Sequence, residues 1–472
     1  MSEKKSFDLN IEQILGTWEV CHAVREVIAN ALDEQMLTGT EDVKISKDVE
    51  NDIWHIRDFG RGLEYKHLTQ NESPEKKMKD TLIGKFGVGL KDALATFFRN
   101  GIGVKVNSRH MTMTLAQSTK AGFSDIKTLQ AEIRSAENPE MVGTDFMLIG
   151  CPDIEIGKAE LLFLKFNNST ILDRTPDGEV IARNPGEPAY IYINGVRANE
   201  EENFLFSYNI ISINKSIKKA LNRERSNVGR SAYTSKVKEI LLRCHSYAVV
   251  KAMIDDISNF SGGTQHDEIK WSDVHMHAIK MMQKSDPTAA FITPEKMQAV
   301  PSVIDDMRRG GYNPIVIPTS IERKIDNENS TVFFDSEKIT TVERYIKKQN
   351  DEFNPEVVAY SDLTEGEKAV FDLAPTIIKA IEAEEVQVSS IEIVTKMSLD
   401  TYGAVKVGLW QPTSRRIFIH RSQLASVADF AGTLIHEYAH AMSDEGDVSR
   451  EFESMLTKII GRLAAKLLIN NN

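Results

Sequence analysis

Arg25-Glu-Val-Ile-Ala-Asn-Ala-Leu-Asp-Glu-Gln35 is the stretch whose reading decides the fold. Val24, Val27, Ile28 and Ala31 fall at i, i+3, i+4 and i+7, the spacing of one buried helical face. Glu26, Asn30 and Asp33 fall at i, i+4 and i+7 on another face. A carboxylate, an amide and a second carboxylate in one stripe are the groups that activate a water and hold a magnesium ion against phosphates. A solvated polar face has the same spacing, so the meaning of the stripe depends on the residues downstream of it.

The helical pattern spans residues 10–37, with Asp8 or Asn10 as its cap. Val43-Lys-Ile-Ser and Ile53-Trp-His-Ile-Arg then alternate as strands do, and the second runs into Asp58-Phe-Gly-Arg-Gly62. An aspartate followed by two glycines at a strand end sets a carboxylate beside a sharp backbone turn. An ordinary turn carries the same residues. Ile83-Gly-Lys-Phe-Gly-Val-Gly-Leu-Lys-Asp-Ala-Leu94 brings Gly84, Lys85, Gly87 and Gly89 to the start of a second helical pattern. Glycines there let backbone N–H groups approach an anion. Neither the Walker spacing nor the dinucleotide G-x-G-x-x-G is present. Met141-Val-Gly-Thr-Asp-Phe-Met-Leu-Ile149 reads as a strand that starts with Thr144, whose hydroxyl can serve a buried ligand.

In this order the four signals resemble the ATP-binding domain shared by DNA gyrase B, the heat-shock chaperone, histidine kinases and MutL, the GHKL superfamily. The resemblance covers roughly residues 10–150. It implies that Glu26 is the general base, that Asn30 is the magnesium ligand with Asp33 beside it, and that Asp58 reads the adenine amino group. Gly60 and Gly62 would line that pocket, with Thr144 near the adenine. Gly84, Lys85, Gly87 and Gly89 would lie at the phosphates, under a lid. The presence of Glu26 argues for hydrolysis and against a histidine-kinase relative. Family members dimerise when ATP closes the lid, so an ATP-driven homodimer is expected. Residues 156–255 follow with a strand and turn at Ala189–Arg197, a strand at Phe204–Ile210 and a helix from Thr234 to Lys251. In gyrase-like relatives a second, transducer domain here sends a basic residue to the γ-phosphate. Lys215, Lys218, Arg223 and Arg225 are the candidates, with Arg223 or Arg225 preferred.

The chain has 472 residues and a net charge of −12. That length suits about three domains of ~150 residues. The acidic balance argues against whole-protein adhesion to nucleic acid or acidic lipid, and nucleic acid as a partner is not indicated. Cys21, Cys151 and Cys244 are far apart and odd in number, so neither a disulfide framework nor a zinc knuckle is expected. With no leader pattern and no apolar run of about 18 residues, the expected location is the cytoplasm, with no membrane partner. Residues 256–345 read as a small α/β connector: strands at Ala290–Pro294 and Pro314–Pro318 enclose a helix from Lys296 to Arg309. His275 and His277 within it are two apart and do not share a helical face, so they are not read as a metal pair.

The last segment, residues 346–472, carries a second kind of chemistry. A helix capped by Thr364 runs to about Ala383, and strands follow at Ser390–Lys396, Ala404–Trp410 and Arg416–His420. Ala431-Gly-Thr-Leu-Ile-His-Glu-Tyr-Ala-His-Ala-Met-Ser443 then places His436 and His440 at i and i+4 on one helical face. That is the spacing of two imidazoles on one zinc ion, with Glu437 beside the first as a base for the water. A pair of satisfied core histidines has the same spacing. The strand Arg416–His420 is expected to accept a peptide by edge addition. A third ligand comes from the closing helix, Val448 to Ile469. Glu453 shares a face with Leu456, Ile460 and Leu463, and Glu451 and Asp447 are the alternatives. This segment resembles a minimal gluzincin metallopeptidase.

The expected fold class is therefore α+β and multidomain. A GHKL α/β sandwich (1–155) precedes a transducer-like α/β domain (156–255), a connector (256–345) and a zincin-like α+β domain (346–472). The expected cofactors are ATP, Mg2+ and Zn2+, and the expected function is a nucleotide-gated zinc peptidase acting on a protein or peptide. A chaperone-like or DNA-associated ATP clamp with a non-cleaving zinc module, or a defence or stress switch, are the alternative readings.

Overall fold

The helix at the centre of the sequence argument forms over Val20–Thr38. Glu19 and His22 close a capping box at its start, and Gly39 ends it at φ 65°, its N–H donating to the Gln35 carbonyl at 2.8 Å. Val24 and Ile28 are fully buried, with Val27 and Ala31 beside them. The polar stripe is not solvated: Glu26 is 2% exposed and Asp33 0%. The computed structural model describes residues 5–9, 18–69, 82–83, 89–119, 127–221, 228–263, 265–332, 338–400, 404–447 and 449–470. Residues 10–17 of the expected helix lie outside them.

The chain divides into two units, Met1–Met281 and Met282–Asn472. In the first, a seven-stranded sheet has the order β1-β6-β5-β4-β7-β3-β2. Its strands are β1 (Lys5–Asp8), β2 (Lys44–Asp48), β3 (Ile53–Arg57), β4 (Gly103–Ser108), β5 (Thr112–Thr119), β6 (Lys127–Arg134) and β7 (Thr144–Ile149). All neighbours pair antiparallel. The alternation of Val104 and Val106 with less buried neighbours gives β4 one core face. That face joins Ile56, Leu148, Ile28, Leu94 and Phe97 in a single apolar cluster. The Val20–Thr38 and Gly89–Arg99 helices thus close a two-layer core over the sheet.

The same unit holds a five-stranded sheet of order β11-β10-β12-β9-β8. It comprises β8 (Ile171–Thr175), β9 (Gly178–Ala182), β10 (Ala189–Ile193), β11 (Val196–Glu201) and β12 (Phe206–Ile210). Asn194-Gly195, both at positive φ, turns the β10–β11 hairpin. The helix expected over 234–251 is two helices, Arg230–Leu242 and Tyr247–Ser258. The break is tertiary: the backbone N–H groups of His245 and Ser246 both donate to Asp173 Oδ2 at 2.9 Å, which starts the second helix afresh.

The second unit opens with β13 (Ala289–Ile292) and β14 (Asn313–Val316), paired in parallel. The helix expected over 296–309 is broken into Pro294–Ala299 and Pro301–Arg309. Pro301 has no N–H to continue the first helix and instead starts the second. The helix expected from Thr364 to Ala383 is likewise Glu365–Phe371 followed by Ala374–Ala380, with Pro375 at the second start. Then β15 (Ser390–Val394), β16 (Gly408–Gln411) and β17 (Arg416–His420) form a sheet of order β15-β17-β16. The expectation that Arg416–His420 offers an edge is overturned, because it is the central strand and is hydrogen-bonded on both sides. The edge beside the site is Gly408–Gln411.

Candidate functional site

Two groups of the expected residues are assembled, one in each unit. In the first unit, Asp58 ends β3 at 6% exposure, and burial raises its carboxyl above the usual range. Its Oδ1 accepts the Gly60 N–H at 2.9 Å, and the Thr144 hydroxyl also hydrogen-bonds the carboxylate. Thr144 Oγ1 in turn accepts the Leu63 N–H at 3.1 Å. Gly143 permits this knot: it sits at φ 77°, and a Cβ there would stand 2.0 Å from the Asp58 carbonyl oxygen. A Cβ on Gly60 would meet the side chain of Glu34, whose Oε1 accepts both the backbone N–H and the Nε of Arg61 at 2.9 Å. Gly62 takes φ 89°.

Glu26 lines a separate cavity with Arg25, Ala29, Asn194 and Lys218. Its Oε1 accepts from Arg25 Nη2 at 3.0 Å, in an ion pair whose members are both nearly inaccessible. Asn30 Nδ2 donates to the Glu26 carbonyl at 2.9 Å. Asp33 Oδ1 accepts the Ile83 N–H at 2.7 Å, so its observed role is to anchor that segment. Gly89 is the first residue of the Gly89–Arg99 helix. Gly84, Lys85, Gly87, Arg223 and Arg225 lie outside the described residues. Of the basic candidates, Lys218 is the one seen at the cavity, and Lys215 is exposed.

The second group stands on the Val427–Ser443 helix. Ser426 caps its start by accepting the Asp429 N–H, and Phe430, Leu434, Tyr438 and Ala439 bury one side. His436 and His440 therefore share the other side. Their Nε2 atoms are 3.2 Å apart, and Asp447 Oδ1 stands 2.9 Å from the first and 3.0 Å from the second. Ligand atoms around a four-coordinate zinc ion are roughly 3.4 Å apart, given bonds of about 2.1 Å. The three donors thus converge on one point, as a two-histidine, one-carboxylate zinc site requires. His440 Nδ1–H donates to the Glu445 carbonyl at 2.7 Å, which leaves Nε2 with the lone pair. Phe452 stacks on the His440 ring at 4.1 Å.

The expected third ligand, Glu453, is not brought to the histidines: it is exposed on the Arg450–Asn470 helix. That helix buries Phe452 and Ile459 and leaves Ile460 63% exposed. Two overlapping apolar stripes were available, and the one containing the larger Phe452 faces the core. Glu451 is exposed as well. Asp447, held as an alternative, supplies the carboxylate.

Glu437 is 5% exposed and accepts the Trp410 backbone N–H. Burial pushes its carboxyl up to about 7, while His440 and that N–H act in the opposite sense. Gly408, Trp410, Thr433, His436, Glu437 and Asp447 line one open groove of about 710 Å³. Sequence reasoning missed Gly408, Trp410, Phe452 and Arg25. A lone glycine inside a strand pattern marks a close approach and was the signal available for Gly408. Among the described residues, no helix is long and apolar enough to cross a membrane.

The family model described as the Mycoplasma pneumoniae MPN635 N-terminal domain matches residues 154–247. An uncharacterised protein of Mycoplasma pneumoniae is 37% identical over 238 residues, covering 50% of this chain and 95% of that protein. A second uncharacterised protein of that organism is 24% identical over 345 residues, covering 69% of this chain and 96% of its own. The chain belongs to the family of the first of these Mycoplasma pneumoniae proteins. Among solved structures, the ATPase region of Saccharomyces cerevisiae topoisomerase II aligns at a TM-score of 0.25 and 8% identity, covering 37% of this chain. The alignment spans 61% of that region, and a likeness this slight does not establish a shared fold.

Proposed function

We propose that this protein is a zinc-dependent peptidase whose access is governed by ATP bound in its N-terminal unit. The observation that carries the reading is the convergence of His436, His440 and Asp447 in the groove that also holds Glu437. When bound there, zinc would supply an acidified water and polarise a peptide carbonyl. His436, His440 and Asp447 hold the ion. Glu437, kept in place by the Trp410 N–H, takes a proton from the attacking water and returns it to the leaving amine. The Gly408–Gln411 edge presents backbone groups to an extended peptide.

On the nucleotide side, the support is a buried acceptor knot together with a separate, mostly apolar cavity that Arg25, Glu26 and Lys218 also line. Asp58, held by Gly60 and Thr144, takes the adenine amino group. Arg25 and Lys218 flank Glu26 at that cavity, and their charges would meet the terminal phosphate. Asn30 Oδ1 would hold magnesium, and Glu26 acts as base once phosphate competes for Arg25. Nucleotide binding drives a homodimer, and that state sets access to the groove.

Metal analysis with a peptidase assay, with and without ATP, tests the proposal on wild type, Glu437→Gln and Glu26→Ala. About one zinc per chain is expected, with cleavage lost in Glu437→Gln and the ATP-induced state prolonged in Glu26→Ala, which removes the hydrolytic base and leaves the nucleotide contacts. Zinc uptake without cleavage under any nucleotide would overturn the peptidase and favour a zinc module that binds without cutting. Cleavage indifferent to ATP and to Glu26→Ala would overturn the gating.

A further inference from the structure

The loop that closes the zinc-type site is Asp444-Glu-Gly-Asp447, and all four residues line the groove. Its position follows from the histidine helix itself. Asp444 caps that helix at φ 57°, with its N–H on the His440 carbonyl at 2.9 Å. The Glu445 carbonyl takes His440 Nδ1–H at 2.7 Å. The backbone bonds that orient His440 therefore also hold two carboxylates at the groove. Asp447 belongs to the donor cluster, but Asp444 and Glu445 do not. Both are exposed, and neither is paired with a cation among the described residues. Among the described residues of the lining, Lys406 is the one lysine or arginine, and Asp400 is also present. Apart from Asp447 and the buried Glu437, the groove's charged side chains among the described residues are Asp400, Asp444, Glu445 and Lys406.

We propose that this groove selects peptide segments carrying a lysine or arginine, read by Asp444 and Glu445 beside the His436–His440–Asp447 cluster. The proposal rests on the peptide-binding reading of the groove and adds the chemical class of its substrate. An extended segment along the Gly408–Gln411 edge keeps a fixed register by backbone hydrogen bonding, so that alternate side chains meet fixed positions. A cation beside two unpaired carboxylates gains Coulomb energy at small desolvation cost, because all three groups stay partly in water. A glutamate in the same place meets like charge.

The test uses the zinc-loaded full chain carrying Glu437→Gln, which removes turnover and leaves binding as the readout. Three fluorescent peptides differ only in a central Lys, Gln or Glu. At low ionic strength the Lys peptide is expected to bind about threefold to tenfold tighter than the Gln peptide, and the Glu peptide weakest. The advantage shrinks as the Debye length falls with added salt. Adding Asp444→Asn and Glu445→Gln brings the three within about twofold, because neutral isosteres carry no field. Asn also tolerates the left-handed backbone at 444, and zinc content checks that this variant retains the site. Equal affinity for the three peptides, preference for Glu, or no binding of any peptide overturns the proposal. A Lys preference in the Glu437→Gln chain that is lost with Asp444→Asn and Glu445→Gln, with no cleavage by wild type, leaves the selectivity standing and sinks only the peptidase; a Lys preference that survives both substitutions overturns the proposal.

Discussion

Gly408 lies directly over Glu437: a Cβ on residue 408 would stand 2.3 Å from Glu437 Oε1 and 2.7 Å from Thr433 Cγ2. The absence of a side chain on the edge strand lets a buried carboxylate sit against the strand and accept the Trp410 N–H. Gly408→Ala should push Glu437 off that N–H and crowd Thr433. The expected cost is about 1–3 kcal/mol, as for other overpacked sites. Thermal unfolding measures the loss, and any peptidase activity should fall with it while zinc content holds. An unchanged melting temperature would mean that Glu437 swings aside freely and is not held by the strand.

Asp447 and Glu453 separate two versions of the proposed metal site. Asp447→Ala removes a donor that stands within 3.0 Å of both imidazoles, and zinc affinity should fall by at least about 100-fold. Glu453→Ala changes an exposed side chain and should leave affinity within about twofold. Competition with a chromophoric chelator reads both. The opposite ranking would restore the helix carboxylate as the ligand.

Gly143→Ala and Gly39→Ala form a controlled pair. Both glycines have positive φ, at 77° and 65°, but a Cβ at 39 meets nothing within 4 Å. At 143 it would overlap the Asp58 carbonyl. The first unit should lose about 1 kcal/mol from Gly39→Ala, the cost of the left-handed region alone. Gly143→Ala should cost roughly 3 kcal/mol or more and abolish the proposed nucleotide binding by displacing Asp58. Denaturant unfolding with a nucleotide titration checks both, and equal costs would show that the Asp58 knot is not closely built.

Glu268 gives the first unit a dependence on pH. It is 0% exposed, and burial pushes its carboxyl up to about 7 despite bonds from the Leu205 and Phe206 N–H groups and the Tyr208 hydroxyl. Below about pH 4.5 both folded and unfolded chains hold the proton. Between about 4.5 and 7 the unfolded chain releases it and the folded chain keeps it, so stability falls as pH rises through this window and levels above it. The contribution is up to about 3 kcal/mol. Glu268→Gln should flatten the slope of melting temperature against pH in that window. A slope unchanged by the substitution would place the titration elsewhere.

Local pattern alone determined much of the architecture. The Val20–Thr38 helix, the strands Ile53–Arg57 and Arg416–His420, and the helix bearing His436 and His440 follow from periodicities of two and 3.6. The pairing of two histidines with Glu437 is also local, because four residues of helix fix it. Pro301 and Pro375 are local signals of a helix start, since a missing N–H acts on its own turn, yet the expected helices over 296–309 and 364–383 run through both. Tertiary structure decided the remainder. Which strand is the edge depends on the order β15-β17-β16, and no single strand encodes its neighbours. Asp173 ends a helix from 72 residues away by taking the His245 and Ser246 N–H groups, a bond that no window of local sequence contains. Asp447 rather than Glu453 meets the imidazoles because the last helix turns Phe452 inward. Between two overlapping apolar stripes, the choice is made by the volume each fills against the rest of the core.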